Sequence, residues 1–321
     1  MENILEEIGK IGIVPVIKID DAKKAVPLAK ALSAGGIPCV EITLRTAEGE
    51  EAIRRINAEA PDVLLGAGTV LTTDQVDRAI DVGAKFIVSP GFNPKVVAHC
   101  IQKGIPIVPG CSNPSDIEQA LEAGLGVVKF FPAELTGGLD YIKAIAAPYP
   151  QVKFMPTGGI NQGNIAKYLS YDRIVACGGS WMAGADLVNA GDFDRITAFC
   201  KEAVQTVFGF SLVHIGINAQ DGEEALSVAK SFGALFGFIL KDGNISAFSG
   251  DQIEIMKGSG RGTKGHIGIG TNSPFRAAAW LERQGIALNR DSIKTDAKGN
   301  LVLVYLKEEI AGFAVHIMQK K

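Results

Sequence analysis

The sequence predicts an α/β protein: a (β/α)8 TIM barrel over residues 1–208, followed by a smaller α+β domain of paired βαβββ modules over residues 209–321. Three observations carry this expectation. Eight short apolar runs recur at intervals of roughly 20–26 residues, the length of one strand-plus-helix unit. Amphipathic helical patterns separate them, and no Gly-x-Gly-x-x-Gly follows the first run, which weighs against an open doubly wound sheet. Beyond residue 209 a strand–helix–strands pattern appears twice, as an internal repeat does.

In chain order the eight strands are expected at Ile13–Lys18, Cys39–Leu44, Leu64–Thr69, Phe86–Pro90, Pro106–Gly110, Val127–Phe131, Lys153–Thr157 and Arg173–Gly178. Helices are expected between them, for example at Ala22–Ala34, Ala47–Glu59, Thr73–Val82 and Asn113–Ala123. Stop signals such as Ala34-Gly35-Gly36 and Glu122-Ala123-Gly124 close several of these helices. A last barrel helix, Asp192–Phe208, ends at Gly209.

Composition narrows the function. The chain has 321 residues, 38 glycines and an apolar fraction of 47%, as in α/β proteins with many tight strand–helix turns. A net charge of −3 without a Lys/Arg cluster argues against a nucleic-acid partner. No apolar stretch reaches the length of a membrane span, and the acidic start Met1–Glu7 lacks a signal-peptide pattern. The five cysteines form no C-x-x-C pair and are expected as buried thiols in a reducing cytoplasm.

Within the barrel, one residue stands out. Lys129 sits in the apolar run Val127-Val128-Lys129-Phe130-Phe131-Pro132, although lysine is rarely buried without a partner. Desolvation disfavours a charged amine, and a lysine held neutral can attack a carbonyl to form a Schiff base. A strand-end lysine reaching solvent is the plain alternative. In such barrels chemistry gathers at the C-terminal ends of strands. Glu41 and Arg45 lie at the end of strand 2, Thr69 of strand 3 and Pro90 of strand 4. Alternation puts Glu41, Thr43 and Arg45 on one face, either as a structural Glu–Arg pair or as a proton-transfer group beside a carboxylate-binding guanidinium. Paired glycines follow strands 7 and 8, Thr157-Gly158-Gly159 and Gly178-Gly179-Ser180, where backbone N–H groups can approach a phosphate.

These residues resemble the class I aldolases that act on 2-keto-3-deoxy-6-phosphogluconate and 4-hydroxy-2-oxoglutarate. The matching segments include Glu41-Ile42-Thr43-Leu44-Arg45-Thr46, Gly66-Ala67-Gly68-Thr69-Val70, Ser89-Pro90-Gly91 and Lys129-Phe130-Phe131-Pro132-Ala133-Glu134. Pro156-Thr157-Gly158-Gly159-Ile160 and Gly178-Gly179-Ser180-Trp181 complete the set. The resemblance implies that Lys129 forms the imine and Glu41 moves protons, with no metal or other cofactor. It implies that Arg45 and Thr69, with Pro90 nearby, hold the keto-acid carboxylate and that Thr157 meets a hydroxyl. Gly158, Gly159, Gly179 and Ser180 would cradle the phosphate. It also implies a homotrimer acting on small molecules. A phosphosugar isomerase or epimerase using Glu41 as base, and a non-catalytic keto-acid sensor, are the rival readings.

The tail resembles the glyoxalase-like, vicinal-oxygen-chelate superfamily. Val213-His214-Ile215-Gly216-Ile217 and Gly265-His266-Ile267-Gly268-Ile269 each precede a helix. The strands that end each half carry Glu254 and His316. His214, Glu254, His266 and His316 therefore form a candidate divalent-metal set. Catalytic members of that superfamily usually carry Glu where this chain has His316, so the tail is either a metal-binding, lyase- or isomerase-like module or a decayed fold used for ligand sensing or assembly.

Overall fold

The computed structural model describes residues 2–320. Residue proximity divides the chain into two compact units, the first ending at Val207 and the second beginning at Phe208.

The first unit opens with α1 (Glu2–Ile11), β1 (Ile13–Ile17), α2 (Ala25–Ala34), β2 (Cys39–Thr43), α3 (Gly49–Glu59), β3 (Leu64–Gly68), α4 (Thr73–Asp81) and β4 (Phe86–Val88). It continues through α5 (Pro94–Lys103), β5 (Ile107–Val108), α6 (Pro114–Glu122), β6 (Val127–Phe130), α7 (Gly138–Ala146) and β7 (Lys153–Pro156). It closes with α8 (Ile165–Leu169), β8 (Cys177–Gly179), α9 (Ala185–Ala190) and α10 (Phe193–Phe208). Six strands pair in the order β5-β4-β3-β2-β1-β8, and β6 pairs with β7. Single parallel bridges, Gly110 to Lys129, Phe154 to Ile174 and Thr157 to Gly178, complete the ring. The result is the eight-stranded parallel barrel that the spacing predicts.

Local chemistry sets the helix ends. Thr72 and Gln75 form a reciprocal capping box at the start of α4. Asn93 and Asn113 cap α5 and α6, each followed by a proline in the first turn. Every residue of β2 is buried, as a strand covered on both sides requires.

The eighth strand begins later than its apolar pattern suggests, at Cys177 instead of Arg173. The Arg173 guanidinium donates to the carbonyls of Val152 and Tyr149, which holds that stretch against the entry to β7. Ile174 makes one bridge, and regular pairing with β1 starts only when Cys177 reaches Ile13. The helix α1 had no counterpart in the sequence reading. It buries Ile8 and Ile11 and leaves Glu6 exposed and Glu7 partly so.

The second unit contains β9 (Ser211–Asn218), α11 (Gly222–Phe236), β10 (Leu240–Asp242), β11 (Ser246–Ser249) and β12 (Ile253–Met256). The same order then repeats as β13 (His266–Thr271), α12 (Pro274–Arg283), β14 (Leu288–Thr295), β15 (Leu301–Leu306) and β16 (Ala314–Gln319). One eight-stranded sheet results, in the order β10-β11-β12-β9-β13-β16-β15-β14. The first strands of the two halves, β9 and β13, pair antiparallel at its centre. Each also pairs in parallel with the last strand of its own half. This mixed α+β unit carries the duplicated pattern read from the sequence. Its packing under α11 is made of small residues, Ala219, Ala225, Ala229 and Ala247, with Ile255.

Candidate active site

Lys129 stands in the middle of β6 with 5% of its surface exposed. Its backbone is tied to the end of β5, donating to the Pro109 carbonyl and accepting from Cys111, both at 2.8 Å. Its Nζ lies 3.6 Å from Oε1 of Glu41, which is wholly buried in β2. The Phe131 ring sits 5.5 Å from the ammonium. Among the described residues, the carboxylate of Glu41 accepts no hydrogen bond at either oxygen, and Oγ1 of Thr157 is equally buried and unpartnered. Buried polar groups are normally satisfied, so three such atoms beside a buried lysine mark a site prepared for a polar ligand.

Glycines make this arrangement possible. A Cβ on Gly68 of β3 would overlap Oε1 of Glu41, and one on Gly178 of β8 would overlap Oγ1 of Thr157. Glycine inside a strand costs stability, and its use here is close approach of a neighbouring side chain. Thr69, which follows β3, has φ of 59°, a left-handed conformation that non-glycine residues rarely adopt. Such strain concentrates where function demands it.

The remaining expected positions surround the barrel ends. Arg45 lies in the turn after β2, exposed, with no ion pair or hydrogen bond among the described residues. The simple alternation that grouped Glu41 with Arg45 stops at the end of β2. Glu41 faces Lys129, while Thr43 donates to the Ile17 carbonyl at 3.2 Å. Pro90 is exposed past β4. Gly158 and Gly159 have φ of 96° and 81° in the turn after β7. Gly179 is buried at the end of β8 and Ser180 is exposed just beyond it.

One neighbour, Tyr168, escaped the sequence reading. Tyr168 of α8 donates its hydroxyl to Glu134, whose backbone N–H reaches the Gly158 carbonyl at 3.1 Å. This pair ties the segment after Lys129 to the paired-glycine turn. Glu134 stands in the quoted motif, but nothing in the sequence points to Tyr168 as its partner. Gly68 was visible in Gly66-Ala67-Gly68, since two glycines within one strand signal a close approach.

The tail sheet gathers a second polar cluster. The nitrogens of His214, His266 and His316 all lie within 4.8 Å of one another. Nε2 of His266 is 3.2 Å from Nε2 of His214 and 3.1 Å from Oε2 of Glu254, and the remaining side of that triangle is 3.5 Å. Donors about 2.0–2.2 Å from one metal ion are spaced by about these distances. Hydrogen bonding alone does not satisfy the group. Nε2 of His266 carries at most one proton yet faces two partners, and both ring nitrogens of His316, 2% exposed, have none. Burial, and then the neighbouring imidazoles, push His316 down to about 3, so it stands neutral and ready to donate a lone pair. Burial, helped by His266 and opposed by Glu254, lowers His214 as well. Burial alone would raise Glu254, but hydrogen bonds from His266 and Ser246 outweigh it and hold it below its usual range. The Ser246 hydroxyl donates to Oε1 at 2.7 Å, which leaves Oε2 toward the histidines. Glycines again give the room: a Cβ on Gly216 or Gly268 would strike the His266 or His214 ring. The donor set can therefore chelate a divalent metal.

Comparison with known proteins places the first unit. The family described as KDPG and KHG aldolase matches residues 3–199. The 2-dehydro-3-deoxy-phosphogluconate aldolase of Treponema pallidum is 51% identical over 207 residues, 64% of this chain and 99% of that protein. The KHG/KDPG aldolase of Escherichia coli K12 is 44% identical over 193 residues, 60% of this chain and 91% of its own length. A KDPG aldolase structure from Legionella pneumophila, with pyruvate captured as a covalent carbinolamine, superposes with a TM-score of 0.60 at 37% identity. That match covers 62% of this chain and 97% of the other. A buried lysine beside a free carboxylate at the core of a closed parallel barrel agrees with these matches, and the chain belongs to the KDPG and KHG aldolase family: its barrel is a class I, Schiff-base carbon–carbon lyase.

Proposed function

We propose that residues 1–208 form the catalytic module and that Lys129 is the residue that forms the imine. The observation that carries this is the 3.6 Å approach of its Nζ to Glu41, whose carboxylate accepts no hydrogen bond. Lys129 adds to the C2 carbonyl of 2-keto-3-deoxy-6-phosphogluconate, and loss of water from the carbinolamine leaves a protonated imine. Glu41, directly or through one water, takes the proton of the C4 hydroxyl. The C3–C4 bond then breaks, its electron pair moves into the imine as an enamine, and glyceraldehyde 3-phosphate leaves. Protonation at C3 and hydrolysis release pyruvate and return the free amine. The imine is the electron sink, so the cycle needs no metal.

Arg45 and Thr69, with Pro90 at the rim, hold the substrate carboxylate, and the unpartnered Thr157 hydroxyl meets a substrate hydroxyl. Gly158, Gly159, Gly179 and Ser180 hold the phosphate through backbone N–H groups. The same Lys129, Glu41 and Arg45 would cleave 4-hydroxy-2-oxoglutarate to pyruvate and glyoxylate. A cytoplasmic setting suits five buried cysteines without a disulfide among the described residues. A homotrimer is the expected assembly, to be read by sedimentation. No helix among the described residues is long and apolar enough to cross a membrane.

Pyruvate with borohydride tests the assignment. A permanent adduct on Lys129, found by peptide mass spectrometry, is the expected result. An isomerase or a passive keto-acid sensor would give none.

For residues 209–321 the reading is a glyoxalase-like module that holds a divalent metal through His214, His266, Glu254 and His316. Its support is the duplicated βαβββ order and the donor triangle. When bound, such an ion supplies a Lewis acid. The His316 imidazole stands where a carboxylate is usual, so no proton-transfer step is assigned to it. Elemental analysis of purified protein, before and after His214 and His266 are both changed to Ala, tests this reading.

A further inference from the structure

Beside the histidine cluster lies a guanidinium with no carboxylate partner among the described residues. Tyr305 of β15 faces His316 across the β15–β16 register, their rings 4.6 Å apart, and its centroid is 6.5 Å from that of His266. The Arg261 guanidinium lies over the same Tyr305 ring, 4.9 Å from its centroid. The Tyr305 ring thus touches both the cluster and the cation.

Arg261 belongs to the segment that joins the two halves, Lys257-Gly258-Ser259-Gly260-Arg261-Gly262-Thr263-Lys264-Gly265. Its composition is that of a flexible linker, yet the structure pins it. The Asn218 side chain accepts from the Gly260 N–H at 3.2 Å and donates to the Gly262 carbonyl at 3.1 Å, one bond on each side of Arg261. A Cβ at Gly260 would meet Asn218, and Gly262 has φ of 83° with its own Cβ position blocked by the Gly265 carbonyl. Both flanking glycines are therefore required by the clamp. The acids bonded to this segment are engaged elsewhere: Asp242 pairs with Lys257, and Glu309 accepts from the Thr263 N–H and hydroxyl. Arg261 has no carboxylate partner among the described residues.

Charge decides what this arrangement suits. Three imidazole ligands and one carboxylate would leave a divalent ion with a net positive charge, and the exposed Arg261 guanidinium over Tyr305 adds a second cation nearby. Together they favour an anionic ligand at this face. The Arg261 guanidinium, lying over the Tyr305 ring, offers a planar donor fork that matches a carboxylate. We infer that the second unit binds a small carboxylate-bearing molecule, with the carboxylate on Arg261 and the rest of the molecule facing the histidine cluster. The inference rests on the metal reading of that cluster.

The test uses the full-length protein loaded with Co²⁺, whose visible absorption reports its surroundings, titrated with pyruvate. Imine formation at Lys129 leaves that spectrum unchanged, so the readout belongs to the tail. Saturable spectral change is expected, with Arg261→Gln weakening it about 10–100-fold, the range for loss of a charge-assisted bond. Arg261→Lys should fall between the two, and Co²⁺ affinity should be the same in all three proteins. If no Co²⁺ binds, the metal reading fails and the inference falls with it. If Co²⁺ binds but pyruvate leaves its spectrum unchanged, or Arg261→Gln responds like the parent, the carboxylate subsite is wrong while the metal reading stands. Inorganic phosphate binding as tightly, with the same dependence on Arg261, overturns the carboxylate class.

Discussion

Glu41 in the barrel meets one cation, Lys129 at 3.6 Å, and accepts no hydrogen bond at either oxygen. Glu254 in the tail meets two imidazoles, at 3.1 and 3.5 Å, and a serine hydroxyl at 2.7 Å. Both carboxylates sit on sheets and both clusters rely on glycines opposite. The difference lies in how far each carboxylate is committed. A group that must take and return a proton is best left with free lone pairs and room to shift. A metal ligand is best held by outer hydrogen bonds that fix its orientation. On the proposed roles, the hydrogen bonding of each carboxylate separates proton transfer from ligation.

The largest break in this comparison should come from Gly68→Ala. The added methyl would occupy the place of Glu41 Oε1, and the neighbouring strands leave the carboxylate little space to retreat. Displacing a reacting group by about 1 Å can cost about 100-fold, so kcat for cleavage should fall by about that factor. The pyruvate–borohydride adduct on Lys129 should still form, because the amine itself is untouched. Loss of adduct and activity together, with circular dichroism intact, would mean that Glu41 supports imine formation as well as proton transfer.

A smaller effect should sharpen the same comparison at the other side of the barrel. Ser180→Asp puts a carboxylate just past β8, where the phosphate is proposed to sit. Like-charge repulsion should raise KM for the phosphorylated substrate by roughly tenfold, worth about 1.4 kcal/mol. Cleavage of 4-hydroxy-2-oxoglutarate should change less than about threefold. Equal losses on both substrates would remove Ser180 from the phosphate site.

The barrel was legible because its strands are continuous apolar runs broken by glycine turns, and Lys129 stood out as the residue that violates that pattern. The partnership of Lys129 with Glu41 was less so. Strand alternation offered Arg45 as a partner for Glu41, but β2 ends at Thr43 and the turn that follows carries Arg45 out to the surface. Alternation holds only while the strand lasts. In the tail, the repeat placed His214 and His266 on equivalent strands, so their meeting followed from pairing those strands. Arg261 and Tyr305 were not legible. They are brought together by the Asn218 clamp and by the β15–β16 register, neither of which leaves a mark in local sequence.

The smallest expected effect is on the barrel when the tail is removed. Every residue with a proposed part in the imine cycle lies between Glu41 and Ser180, and all eight barrel strands are complete by Gly179. A chain ending at Val207 resembles in length the Treponema pallidum relative, of which 207 residues of this chain cover 99%. It also omits Phe208, whose ring packs on Phe210 and Trp280 and whose carbonyl accepts from Thr271 and Asn272, so the cut leaves those tail partners behind. The rate per folded site, counted by borohydride trapping, should stay within about tenfold of the full chain, equivalent to about 1.4 kcal/mol of barrier. Stripping metal from the full chain should leave that rate equally unmoved while lowering the melting transition of the tail. The buried packing under α11 is mostly alanine, so a bound ion should add to the stability of that unit. A truncated barrel that folds yet fails to cleave would show that the tail completes the active site. A metal-free chain with an unshifted tail transition would return the three histidines to ordinary packing.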